Sequence, residues 1–165
     1  MIHVLFVCLG NICRSPVAEG VFRKLVEDAG LSDAIQCDSA GTASYHIGNL
    51  PDRRMRQVAA QNGIQLIHKS RKLNGDDFYT FDYILAMDEI NFDDIRNQSY
   101  RSSGFFYPED RLFLYREFDP VQDGSSDVPD PYYEDISVFE DVFRMVERCG
   151  VQFLEFLIQK NQLKQ

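Results

Sequence analysis

Within ten residues, VCLGNICRSP (7–16), the chain sets two thiols, a guanidinium and a hydroxyl: Cys8, Cys13, Arg14 and Ser15. Between Cys8 and Arg14 lie Leu9, Gly10, Asn11, Ile12 and Cys13, of which Gly10 and Asn11 most readily adopt positive φ. A turn of this length can aim the backbone N–H groups of residues 9–15 inward, giving an anion cradle reinforced by a following helix N-terminus. Arg14 closes the cradle with a planar fork that can hold two anionic oxygens. The pattern suits a tetrahedral oxyanion. A cysteine at the base of such a cradle is favoured as thiolate, and in comparable settings its pKa falls from about 8.5 to roughly 3.5–7.5. Cys8 is therefore a candidate nucleophile, and the Ser15 hydroxyl a candidate donor to its sulfur, both while it attacks and when it leaves.

Other uses of these residues are weaker. Neither a C-x-x-C pair nor a neighbouring histidine supports zinc at Cys8 and Cys13. The absence of G-K-[ST] excludes a Walker phosphate loop. Cys37 and Cys149 fall inside strand and helix patterns and read as small packed hydrophobes. Cys13 reads as a packed loop thiol that could also trap a peroxide-oxidised Cys8 as a reversible disulfide.

The elements that must position this turn are legible on both sides of it. IHVLFV (2–7) is an apolar run suited to a strand buried on both faces of a parallel sheet. VAEGVFRKLVEDAG carries Val17, Val21, Phe22, Leu25 and Val26 at helical spacing, with Pro16 in the first turn and Gly30 at the stop. AIQCDSA (34–40), FDYILAM (81–87) and RLFLYRE (111–117) predict three further strands. DRRMRQVAAQNG predicts a helix closed by Gly63, and Asp88 is placed to cap EINFDDIRNQ. In the last helix, Ile136, Phe139, Val142, Phe143, Val146, Cys149, Phe153, Leu154 and Leu157 share one face. Alternating strands and helices imply an α/β fold, an open parallel sheet with helices on both faces, whose ligands bind beyond the carboxyl ends of the strands. Residues 8–15 and the polar loop 118–133 should then meet at one edge.

The whole chain limits the function classes. Its 165 residues are enough for one domain (1–165) with its own core, without a disulfide or metal staple. A net charge of -9 argues against nonspecific binding to nucleic acid or an anionic membrane. The start MIHVLFVCLG lacks a basic n-region and is too short in apolar residues for a signal peptide or span, so the expectation is a cytoplasmic protein with four reduced cysteines. A monomer or weak homo-oligomer is expected.

VCLGNICRSPVAEGVF resembles the signature of the low molecular weight protein tyrosine phosphatases, and DSAGT (38–42), GNLPDRR (48–54), HKSRKL (68–73), AMDEIN (86–91) and DPYY (130–133) extend the resemblance along almost the whole chain. It implies a four-stranded parallel sheet with flanking helices and a phosphomonoesterase needing neither metal nor cofactor. Its substrates would be phosphotyrosyl proteins or small aryl phosphates. The implied mechanism passes through a cysteinyl-phosphate at Cys8, with Arg14 and the loop amides on the equatorial oxygens. Acids in the last loop are too many to separate by pattern: Asp119, Asp123, Asp127, Asp130, Glu134 and Asp135. The resemblance selects Asp130, which precedes Tyr132 and Tyr133, as general acid and then base. It also implies Tyr45, Tyr132 and Tyr133 as walls for the substrate ring, and Ser39 and His68 as supports of Asn11. His3 and His46 have no role beyond ordinary polar residues. Two positions depart from the pattern: Glu134 replaces a common glycine and adds charge at the rim, and Ser70 replaces the usual alanine in H-x-A-R. An arsenate reductase would need two further redox cysteines past mid-chain, absent between Cys37 and Cys149. A noncatalytic phosphotyrosine-binding module would typically lack Cys8 or Asp130.

Overall fold

The apolar run after Met1 forms β1 (Ile2–Cys8), which pairs in parallel with β2 (Ile35–Gly41) on one side and β3 (Tyr83–Ala86) on the other; β4 (Leu112–Leu114) extends the sheet from β3. The strand order is β2-β1-β3-β4 in a computed structural model that describes residues 1–165. β1 is paired along both edges and covered on both faces by packed side chains, which is why Val4 to Val7 are all fully buried. Alternation divides them. Val4, Phe6 and Cys8 join the cluster under α1 (Arg14–Asp28) and α5 (Ile136–Asn161), whereas Leu5 and Val7 pack with Ile84, Ile95 and Leu112 on the opposite face. Phe6 anchors the first cluster through Phe22 and Tyr115, with ring centroids 5.5 and 5.1 Å away.

After β1 the chain crosses to β2 and then returns past β1 to β3, so the order reverses between β1 and β3. That reversal is where an open α/β sheet leaves a crevice. Cys8 is the last residue of β1, in register with Gly41 at the end of β2. A Cβ at Gly41 would stand 2.7 Å from the Leu9 carbonyl oxygen and 3.2 Å from the Asn11 nitrogen, so only glycine lets the loop after β1 lie so close.

Side-chain caps start three helices, and the one at Asp88 is the cap that the pattern predicts. Asp52 accepts from Arg54 N at the start of α2 (Arg53–Gln61), Asp88 from Asn91 N at α4 (Glu89–Ser103), and Asp135 from Ser137 N at α5. Three expectations need correction. A short helix, α3 (Asp77–Thr80), precedes β3, which spans four residues rather than seven. β4 ends at Leu114, and residues 115–118 wind into a tight helical turn instead of continuing the strand. The cause is Arg116, which is buried and turns inward to meet Asp119, Asp123 and the Asp127 carbonyl at 3.4, 2.8 and 3.2 Å. At the start of α5, Ile136 is exposed, while the rest of the predicted stripe is buried. No helix is long and apolar enough to cross a membrane.

Candidate active site

The turn from β1 into α1 spans residues 9–13 and wraps around the Cys8 sulfur. Asn11 N donates to Cys8 Sγ at 3.3 Å, and Ser15 Oγ lies 3.0 Å from the same sulfur. Ser15 Oγ also accepts from Asn11 Nδ2 at 2.8 Å, which leaves its own proton for the sulfur rather than for the more distant Ala40 oxygen at 3.4 Å.

Asn11 holds the turn in shape. Its φ of 56° lies in the left-handed region that asparagine tolerates better than most residues, and it is completely buried. All four hydrogen-bonding positions of its amide are used: Nδ2 donates to Ser15 and to Ser39 Oγ (3.0 Å), and Oδ1 faces His68 Nε2 (2.8 Å) and accepts from Arg71 N (3.1 Å). Ser39 and His68 thus stand against Asn11 as the resemblance implied. Behind them lies a residue that the pattern missed. Glu19, buried in α1, accepts from Ser39 Oγ at 2.8 Å, pairs with Arg23 at 2.9 Å and lies 3.3 Å from His68 Nδ1.

Arg14 is fixed from the far side. One terminal nitrogen donates to Asp88 Oδ2 at 2.7 Å and to the Val128 carbonyl at 3.1 Å; the other stands 3.6 Å from Asp130 Oδ2. Burial opposes its charge, but Cys8 and Asp88 more than offset this and hold the guanidinium protonated above its ordinary value. Asp88 therefore does two things at once, capping α4 with one oxygen and aiming Arg14 with the other; only the first was legible in the sequence.

Geometry now separates the acids of the last loop. Asp119 is bound by Arg148 at 2.9 and 3.0 Å, Asp123 by Arg116, Asp127 accepts from Glu89 N, and Asp135 caps α5. Asp130 instead lines the pocket, half exposed, with Oδ1 accepting from Tyr132 N at 3.1 Å. Arg54 braces its segment. Gripped by Asp52, it donates to the carbonyls of Tyr132 (2.9 Å) and Glu134 (3.2 Å) while its guanidinium lies 4.4 Å from the Phe139 ring centre.

The pocket holds about 330 Å³ between these two loops. Cys8, Cys13, Arg14 and Asp130 line it, with Leu9 and Ile12 as apolar surface and Tyr45, Tyr132 and Tyr133 at the mouth. His46 also lines it, its ring 6.2 Å from that of Tyr132 and against Gly10, a position that the sequence pattern did not single out. All four cysteines are free thiols. Burial, then the charge of Asp52, pushes Cys13 far above the ordinary thiol range, and burial pushes Cys37 and Cys149 up to about 12. Those three remain protonated at neutral pH.

A family model described as low molecular weight phosphotyrosine protein phosphatase matches residues 3–163. The chain is 45% identical over 152 residues to the low molecular weight phosphotyrosine protein phosphatase of Homo sapiens, covering 92% of this chain and 93% of that one. Among solved structures it resembles a protein tyrosine phosphatase from Entamoeba histolytica, with a TM-score of 0.86 and 37% identity over 99% of this chain and 100% of that one. It is also similar to a drosophila arginine phosphatase, with a TM-score of 0.85 and 31% identity over 93% and 96% of the two chains.

Proposed function

Since the chain belongs to the low molecular weight phosphotyrosine protein phosphatase family, we propose that it hydrolyses phosphotyrosine with Cys8 as nucleophile, Arg14 as clamp and Asp130 as general acid and base. The protein is a protein tyrosine phosphatase; the roles of individual residues are our reading. In the first step the Cys8 thiolate attacks phosphorus in line, the bond to the tyrosyl oxygen breaks, and Asp130 gives its proton to the departing phenolate. Arg14 and the inward amides of the loop hold the three equatorial oxygens as charge builds on them. In the second step water attacks the cysteinyl-phosphate, Asp130 takes the proton back, and the sulfur leaves as thiolate with inorganic phosphate released. Ser15 and Asn11 N favour that thiolate by hydrogen bonding in both directions.

One observation carries this reading: Cys8, Arg14 and Asp130, separated by up to 122 positions, line a single pocket whose mouth is aromatic. That mouth also bears on the substrate. Leu9, Ile12, Tyr45, Tyr132 and Tyr133 suit the faces of an aryl ring, whereas a phosphoarginine would bring a guanidinium with only Asp130 as a carboxylate partner in the pocket. We therefore read aryl phosphates, including phosphotyrosyl proteins, as the substrates. The test is turnover of p-nitrophenyl phosphate, phosphotyrosyl peptide and phosphoarginine by reduced, chelator-treated protein, with a Cys8→Ser variant alongside. Turnover of the two aryl substrates, lost with Cys8→Ser, is expected; full activity in Cys8→Ser, or phosphoarginine turned over faster than phosphotyrosine, overturns the reading.

A further inference from the structure

A loop can aim its amides inward only if its carbonyls find partners outside, and nearly every such partner here is backbone. Thr42 N holds the Cys8 carbonyl at 2.9 Å, Ala43 N that of Leu9 at 3.0 Å, Asp52 N that of Ile12 at 2.7 Å and Val17 N that of Cys13 at 3.3 Å. The Gly10 carbonyl differs. It accepts from a side chain, Ser70 Oγ, at 3.0 Å.

The peptide between Gly10 and Asn11 is trans, so its carbonyl and its N–H point in opposite directions. The carbonyl end of this plane is held by Ser70, and the N–H end is the one that donates to Cys8 Sγ at 3.3 Å. Gly10 has no side chain to oppose rotation of this plane. Turned over, the plane would present a carbonyl dipole to the thiolate and to any bound phosphoryl oxygen. Ser70 is itself firmly placed: it is buried, its N donates to the Asn49 carbonyl at 2.8 Å, and its carbonyl accepts from Gly48 N at 2.8 Å.

We propose that Ser70 is a positioning residue for the nucleophile, its hydroxyl locking the Gly10–Asn11 peptide plane in the orientation that presents Asn11 N–H to the Cys8 sulfur. It touches no reacting atom and acts through one peptide plane. The inference rests on Cys8 being the nucleophile. The substitution leaves untouched the other titratable groups that share the pocket with Cys8: Cys13, Arg14, Tyr45, His46, Asp130, Tyr132 and Tyr133.

The experiment follows alkylation of Cys8 by iodoacetamide, a neutral reagent that does not compete for the anion site, read by mass spectrometry of the Cys8 peptide. Because only the thiolate is alkylated, losing one donor to the charged sulfur should slow Ser70→Ala about 3- to 10-fold at pH 5.5 and leave it level with the parent at pH 9. Ser70→Thr, which keeps the hydroxyl, should follow the parent at both pH values. Ser70→Ala following the parent at pH 5.5 overturns the proposal, as does a Ser70→Thr variant slowed as much as Ser70→Ala. These outcomes need no turnover, so they stand apart from the Cys8→Ser result that tests the nucleophile itself.

Discussion

Replacing Asn11 by alanine tests the physical account of the loop most directly, because the cost can be worked out one contact at a time. The amide makes four hydrogen bonds. Ser15 and Ser39 keep other partners, Cys8 and Glu19, when it is removed. Arg71 N and His68 Nε2 do not, and each unsatisfied polar group costs about 1–3 kcal/mol where water cannot reach it. Alanine at φ 56° adds about 1 kcal/mol of backbone strain. Asn11→Ala should therefore lose about 3–7 kcal/mol in urea unfolding. Asn11→Gly, which removes the same hydrogen bonds but is at ease in the left-handed region, should recover about 1 kcal/mol of that. With the Asn11 N–H no longer fixed, kcat/KM for p-nitrophenyl phosphate should fall about 100-fold in both variants. An Asn11→Ala loss below about 1 kcal/mol, or an Asn11→Gly protein no more stable than Asn11→Ala, would refute the argument that this one side chain holds the loop.

Two further outcomes follow from the acids of the last loop. Asp130→Ala should slow phenyl phosphate about 100-fold, since its leaving group needs the proton, and p-nitrophenyl phosphate less than about 10-fold; a uniform slowing across an aryl phosphate series counts against Asp130 as the acid. Burial would raise the carboxyl of Asp119, but its hydrogen bonds from Arg148 outweigh that and hold it below the usual 3.8. The stability it supplies is therefore complete above 3.8 and disappears as pH falls through the lower folded value. Asp119→Asn should cost about 3 kcal/mol at pH 7 by leaving Arg148 without its carboxylate, with the gap to the parent closing in strong acid; a gap independent of pH contradicts the ion-pair account.

What could be read in the sequence was whatever local pattern determines. β1, the cap at Asp88 and the buried stripe of α5 follow from apolar spacing and from side chains acting within a few residues of themselves. The hidden parts depend on contacts distant along the chain. Glu19 lies in a polar interval of an amphipathic helix and looks exposed; it is buried because Ser39 and His68 arrive from β2 and from the chain after α2. Ser70 reads as a harmless change from alanine until its hydroxyl is found on the Gly10 carbonyl, sixty positions away. β4 was overextended because Tyr115 and Arg116 continue an alternating pattern that their burial against α5 and three acceptors overrides. The acids of the last loop are indistinguishable by composition and become distinct only once Asp119, Asp123, Asp127 and Asp135 have their own partners and Asp130 is left lining the pocket.

Arg54 bears on how the site works in time. Gripped by Asp52 and resting on Phe139, it ties down the carbonyls on either side of Tyr133, so the segment carrying the proposed acid is braced by α2 and α5 before any substrate arrives. In enzymes that close a lid, the lid's opening often sets the pace of turnover. On the proposed reading these bonds hold Asp130 beside Arg14 at the pocket, so we expect no lid closure to precede the chemistry. With this segment held in advance, we expect the chemistry at phosphorus, rather than the motion of a loop, to set the rate.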